Sequence, residues 1–109
     1  MAPRKNFDHL ENPLADALIQ MGEWWTPLIL WSINEGNVRF EEVQVSLGIA
    51  RNILTDRLKT LVLHDILEKR QYSNKPKRFE YHLTNKGLEL IPIGAAMRAW
   101  GQKYPPHRN

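Results

Sequence analysis

A mainly α fold with a small β-hairpin is what this sequence predicts, on three observations. Apolar residues recur at helical spacing from residue 13 to about 63. The pattern changes to a crude alternation between Ile66 and Leu83, and helical spacing returns after Thr84. The length of 109 residues suits one domain with a modest core, which self-association would help to stabilise.

Asn12 before Pro13 is an N-cap followed by proline at the first helical position. Leu14, Leu18 and Met21 then share a helical face until Gly22 stops the run. Residues 24 to 35 are apolar nearly all round, as expected of a central helix, with Pro27 tolerable only in its first turn and Gly36 as its C-terminal cap. "VRF" at 38 to 40 allows a very short strand, after which Val43 and Leu47 define a two-turn helix closed by Gly48. A fourth helix follows in "ARNILTDRLKTLVL". Leu54, Leu58 and Leu61 point inward, Ile53 and Val62 widen the stripe, and Arg51, Asn52, Thr55, Asp56 and Lys59 face out.

"ILEKRQYS" and "RFEYHL", separated by "NKPK", make a hairpin with a basic tip. Thr84 caps a last long helix, with Pro92 inside it as a bend. That helix carries two apolar stripes: Leu88, Ile91 and Ala95 on one, Leu90, Ile93, Met97 and Trp100 on the other. One stripe suits the domain's own core and the other suits a second copy. The expected limits are a flexible arm at 1–11, the domain at 12–103 and a flexible tail at 104–109.

Charge is unevenly spread. Residues 1–49 carry a net −4, residues 50–80 a net +4 and residues 81–109 a net +3, so a polyanion would meet the middle segment first. The absence of cysteine excludes disulfides, thiolate metal sites, cysteine nucleophiles and thiol redox sensing. The four histidines lack metal-ligand spacing, so no metal or other cofactor is expected. Glu41 and Glu42 are adjacent, hence about 100° apart on a helix, and no nucleophile or Gly-rich loop accompanies them; an enzyme is not expected. "WWTPLILWSI" is half a membrane span and no signal-peptide run opens the chain, which points to a cytoplasmic protein with no membrane partner.

Short helices, a tight turn into one with a polar N-terminal half, and a basic-tipped hairpin together form the order of a winged helix-turn-helix domain. Such a helix fits the DNA major groove, and the hairpin's cations suit the flanking backbone. The segments "MGEWWTPLILWSINEGNVRFEEV", "LTDRLKTLVLHDILEKRQY", "PKRFEYHLTNKGLEL" and "MRAW" resemble, in order, the HxlR-type winged-helix transcriptional regulators over residues 12 to 101. The resemblance implies a bacterial homodimer on double-stranded DNA, usually a repressor and sometimes an activator, with N- and C-terminal dimerisation helices. By matching position, Arg51, Asn52 and Thr55 would read bases, and Arg57 and Lys59 would touch phosphate or the neighbouring helix. Arg39, Lys75, Lys77 and Arg78 would be backbone contacts, and Leu14, Leu18, Ile93, Met97 and Trp100 would build the dimer.

Two departures from the family pattern stand out. Asn12 occupies the place where many members carry a sensing cysteine, and Ala50-Arg51 replaces the usual Ser-Pro at the start of the recognition helix. The second removes a side-chain N-cap, a loss of about 1 kcal/mol.

Blander readings compete at several points. The outer face of the helix that begins at Arg51 could be merely solvated, and the wing cluster could serve only solubility. Tyr72 suits packing better than stacking, and Asp56 suits a local ion pair with Arg51 or Lys59. Trp24, Trp25, Trp31 and Trp100 belong either to core and interface or to an effector pocket for an unidentified small molecule. The function expected is a sequence-specific DNA-binding regulator acting as a homodimer on a roughly palindromic operator. The alternatives are a ligand-gated regulator with that tryptophan-lined pocket and a winged helix used for protein–protein interaction.

Overall fold

The computed structural model describes residues 11–21 and 24–108. The arm expected at 1–11 falls almost entirely outside these residues, as does the stop expected at Gly22. The elements run α1 (Pro13–Met21), α2 (Trp25–Asn34), α3 (Phe40–Leu47), α4 (Arg51–Leu63), β1 (Leu67–Asn74), β2 (Lys77–Leu83), α5 (Asn85–Leu88) and α6 (Ile91–Lys103).

Helix α1 starts as its sequence dictates. Asn12 accepts the Leu14 N–H on its side-chain oxygen at 2.8 Å, and Pro13 occupies a position whose N–H would have had no helical partner. Helix α2 supplies the centre of the core with Ile29, Leu30 and Ile33, against which Val43, Ile49, Leu54, Leu58, Leu61, Ile66 and Leu67 close. Its buried hydroxyls are spoken for. Thr26 donates to the Met21 carbonyl, and Ser32 donates to Ser46 at 3.0 Å while accepting from Asn37 at 3.2 Å. The cap residue of α2 is Glu35; Gly36 lies one position beyond, at φ 111°, where its N–H reaches the Ile33 carbonyl at 3.0 Å.

"VRF" is not a strand. Both N–H groups that a ladder would need, Val38 and Arg39, donate to the Glu42 carboxylate at 3.1 Å and thereby cap α3. Only the Val38 carbonyl joins the wing, accepting from Tyr81 N–H at 2.7 Å. Gly48 ends α3 in the left-handed region at φ 64°, so the chain turns at once into α4.

Leu54, Leu58 and Leu61 are sealed from solvent, and Val62 packs against the cluster, whereas Ile53 is 37% exposed. The first turn of α4, residues 51–53, is exposed throughout, so Ile53 does not widen the buried stripe.

Strands β1 and β2 form one antiparallel hairpin, Leu67 opposite Leu83 at its base and Asn74 opposite Lys77 at its tip, with a bulge between Gln71 and Ser73. The base is knotted to the rest of the domain. Thr84 donates to the Asp65 and Ile66 carbonyls and accepts the Gly87 N–H at 3.0 Å, and Lys86 donates to the His64 carbonyl at 2.8 Å. Gly87 is obligatory here, because a Cβ would stand 2.2 Å from the Ile66 carbonyl oxygen.

The long helix expected after Thr84 is two helices. Thr84 caps the four-residue α5, and Pro92 begins α6 instead of bending it. A proline ring clashes with the carbonyl four residues back, here Leu88, so the first helix ends there and the second restarts with proline in its first turn. None of the residues of α6 is buried: Ile93, Met97 and Trp100 are 50, 55 and 66% exposed. Its last turn continues into Tyr104, whose N–H reaches the Trp100 carbonyl at 2.9 Å and whose ring centroid lies 5.6 Å from that of Trp100.

Candidate nucleic-acid interface

The three buried leucines of α4 leave the opposite side of that helix to solvent, with Arg51, Asn52, Thr55, Asp56 and Lys59 exposed. These are the residues expected there, but they are not equivalent. Thr55 donates its hydroxyl to the Arg51 carbonyl at 2.9 Å, so its methyl and remaining lone pair are what it can offer outward. Asn52 has its side-chain amide free among the described residues.

Arg51 carries its guanidinium carbon 4.7 Å from the centroid of the Phe40 ring, the first residue of α3. This contact places a delocalised cation over an aromatic face and holds an otherwise floppy side chain. Ala50 provides no side-chain cap, as expected.

Arg57 does not belong to the exposed set. It is 6% exposed and pairs with Asp56, which therefore bonds neither Arg51 nor Lys59. The spacing explains the burial: Arg57 is three residues after Leu54 and four before Leu61, on the buried side of α4. A buried arginine must be paired or hydrogen-bonded, and at 6% exposure Arg57 offers little of its guanidinium to a phosphate. That spacing was readable in the sequence and is the signal that positional matching overrode.

The wing brings its basic residues to the hairpin tip. Lys75, Lys77 and Arg78 are exposed around the Lys75–Pro76 turn, with Lys77 and Arg78 opposite Asn74 and Ser73. Lower on the strands the cations are engaged within the hairpin: Lys69 lies 4.4 Å from the Phe79 ring centroid and Arg70 pairs with Glu68 at 3.2 Å.

Arg39, expected as a backbone contact, is engaged with the wing. Its Nε is 3.4 Å from Glu80, and its guanidinium carbon is 4.3 Å from the Tyr72 ring centroid. Glu80 also meets His82 at 3.0 Å. The His82 hydrogen bond holds the Glu80 carboxyl below the usual carboxylate range; desolvation opposes this and Arg39 reinforces it. Sequence reasoning weighed Tyr72 only as a packing residue and did not single out Glu80, because their partner Arg39 lies more than thirty residues away.

Arg39 and Phe40 are neighbours in sequence that face different elements. Arg39 grips the wing, Phe40 underlies Arg51 on α4, and Glu42 fixes the backbone between them. The "RF" pair thus couples the two polar surfaces of the domain through side chains.

The residues expected at a dimer interface lie elsewhere, on α1 and α6. Leu14 is 68% and Leu18 41% exposed, matching the open face of α6. Between α2 and α6 runs a groove of about 400 Å³ lined by Trp24, Pro27, Leu28, Trp31, Gly94, Met97 and Arg98. Trp25 instead packs against the core. Among the described residues no group of histidine and carboxylate side chains is arranged to hold a metal ion, and no helix is long and apolar enough to cross a membrane.

Comparison with known proteins supports this arrangement. An uncharacterised HTH-type transcriptional regulator of Mycobacterium tuberculosis is 39% identical over 90 residues, covering 83% of this chain. The chain spans 57% of that relative's length. The solved transcription factor PA1607 superposes with a TM-score of 0.81 at 36% identity, covering 95% of this chain and 75% of the other. The oxidised form of the redox regulator HypR superposes with a TM-score of 0.77 at 28% identity, covering 90 and 99%. The family these relatives represent is one of transcription regulators and not of enzymes, and its HxlR-like helix-turn-helix signature matches residues 20–109. By that match and by its architecture, the chain belongs to the HxlR-like helix-turn-helix family.

Proposed function

We propose that the protein is a sequence-specific DNA-binding transcriptional repressor of the cytoplasm, acting as a homodimer. The observation that carries this is the two-sidedness of α4: three leucines buried without exposure on one side, and Arg51, Asn52, Thr55 and Lys59 presented on the other, within a basic segment that ends in the wing tip. A helix so held can enter a major groove while Lys75, Lys77 and Arg78 neutralise flanking phosphates.

The open apolar faces of α1 and α6 support the dimer. Two-fold symmetry would set two copies of α4 in successive major grooves about 34 Å apart, on a roughly palindromic operator. Occlusion of RNA polymerase would follow. Selection of duplexes from a random pool at near-physiological salt tests the reading. Enrichment of an inverted repeat with half-sites one helical turn apart is expected. Uniform, salt-sensitive retention without a motif would refute sequence reading and favour the protein-interaction alternative.

A second reading, ligand gating, is favoured by the groove between α2 and α6. Its volume falls in the range of small-molecule sites, and Trp24, Leu28, Trp31 and Met97 line it. An occupant there would act on α6 and so on the dimer. Tryptophan fluorescence titrated with a panel of planar molecules tests this; no shift with any compound counts against it.

A further inference from the structure

Arginine at the first position of a helix is a poor choice for the helix itself. The exposed N–H groups make that end positive, a cation there is repelled, and the first turn of α4 holds no acidic residue to compensate. Ala50 adds no side-chain cap, so the start of α4 is not optimised for its own stability. Yet Arg51 is held in place: its guanidinium rests on the Phe40 ring at 4.7 Å, and it has no carboxylate partner among the described residues. Phe40 in turn is partly buried against the core and begins a helix whose backbone Glu42 caps. The fork of donors on Arg51 is therefore positioned and unspent.

We infer that Arg51 reads a guanine in each operator half-site and that Phe40 is the positioning residue that holds its guanidinium in the reading pose. The inference rests on the DNA-binding function proposed above and names what that surface recognises. The planar guanidinium presents two parallel N–H groups that match O6 and N7 of guanine in the major groove, in a rigid fork that the other exposed side chains of α4 lack. Thr55 has committed its hydroxyl to the Arg51 carbonyl, Asp56 is taken by Arg57, and Lys59 is a point charge two turns further on. Stacking on Phe40 removes part of the rotamer entropy that Arg51 would otherwise lose on binding.

The test compares the wild type with Arg51→Ala, Arg51→Lys and Phe40→Leu by selection from a random duplex pool. Affinities for the selected site are then measured with guanine or 7-deazaguanine at the base pair that Arg51→Ala relaxes. A guanine at one position of each half-site is expected, with discrimination there of about ten- to a hundredfold in the wild type. Arg51→Ala and Arg51→Lys abolish that preference while other positions persist, and 7-deazaguanine weakens the wild type but not Arg51→Ala. Phe40→Leu, checked for native helix content by circular dichroism, shows a reduced preference at the same position. Base preferences unchanged at every position in Arg51→Ala would make Arg51 a phosphate contact and overturn the inference, as would indifference of the wild type to 7-deazaguanine. If the wild type selects no motif at all, the parent reading fails as well, so the two failures are distinguishable.

Discussion

Helix α4 and helix α6 of this molecule are built in opposite ways. Helix α4 sits on a sealed row of leucines, and its polar face is braced by contacts from α3. Helix α6 is as long, thirteen residues, but buries none of them, and leaves Ile93, Met97 and Trp100 open. The first is packed within one chain; the second is open to solvent. An exposed apolar row on a small domain costs solubility unless something covers it, and in the dimer proposed above a second copy would cover it together with Leu14 and Leu18 of α1.

If that contrast is right, truncating the buried face of α4 is the most damaging change. Leu58→Ala should lower unfolding free energy by about 2 to 5 kcal/mol, measured by urea titration. A loss below 1 kcal/mol would mean that α4 is less firmly seated than its burial indicates. Gly87→Ala comes next, because its methyl would meet the Ile66 carbonyl oxygen; a loss of about 1 to 3 kcal/mol is expected in the same assay. No loss would show that the wing base can relax.

Trp100→Ala should leave the folded protomer close to its original stability and instead shift the dimer toward monomer in sedimentation, since Trp100 is 66% exposed in one chain. An unchanged association constant would remove it from the interface. Lys77→Ala should weaken binding to all duplexes alike and reduce the slope of log K against log salt by about 0.9, the value for one phosphate contact.

The smallest effect concerns acid. Glu80 has its pKa lowered by His82 and Arg39 against some desolvation, so its contribution is present above the unfolded carboxylate pKa and is lost as pH falls through the lowered folded value. Melting curves for Glu80→Gln and wild type should therefore differ slightly at neutral pH and converge in acid. A gap that widens in acid would reverse the sign.

Much of the fold was legible before any coordinates, for reasons visible in particular residues. Asn12-Pro13 starts α1, Gly48 ends α3, and the Leu54, Leu58, Leu61 spacing defines the inner side of α4. Each is a local rule acting over a few residues. The misreadings have local causes too, seen only once competing demands are compared. "VRF" lost its strand to the Glu42 cap, and Pro92 split a helix that the apolar pattern had joined. Arg57 was assigned by matching position to the family when its spacing already placed it inward.

The site was less legible than the fold. The polar face of α4 and the basic wing tip follow from periodicity and composition, but the links among them do not. Arg39 and Glu80 are 41 residues apart, and Phe40 and Arg51 sit on different helices.

The sequence alone determined the order of elements, the buried side of α4, the location of positive charge and the exclusion of thiol chemistry. Those properties are sums over short windows or simple counts. Only the tertiary structure decided that Arg39 grips the wing, that Arg51 rests on Phe40, and that α6 is left uncovered. Such contacts depend on the angles and distances at which whole elements pack, and no local pattern encodes those.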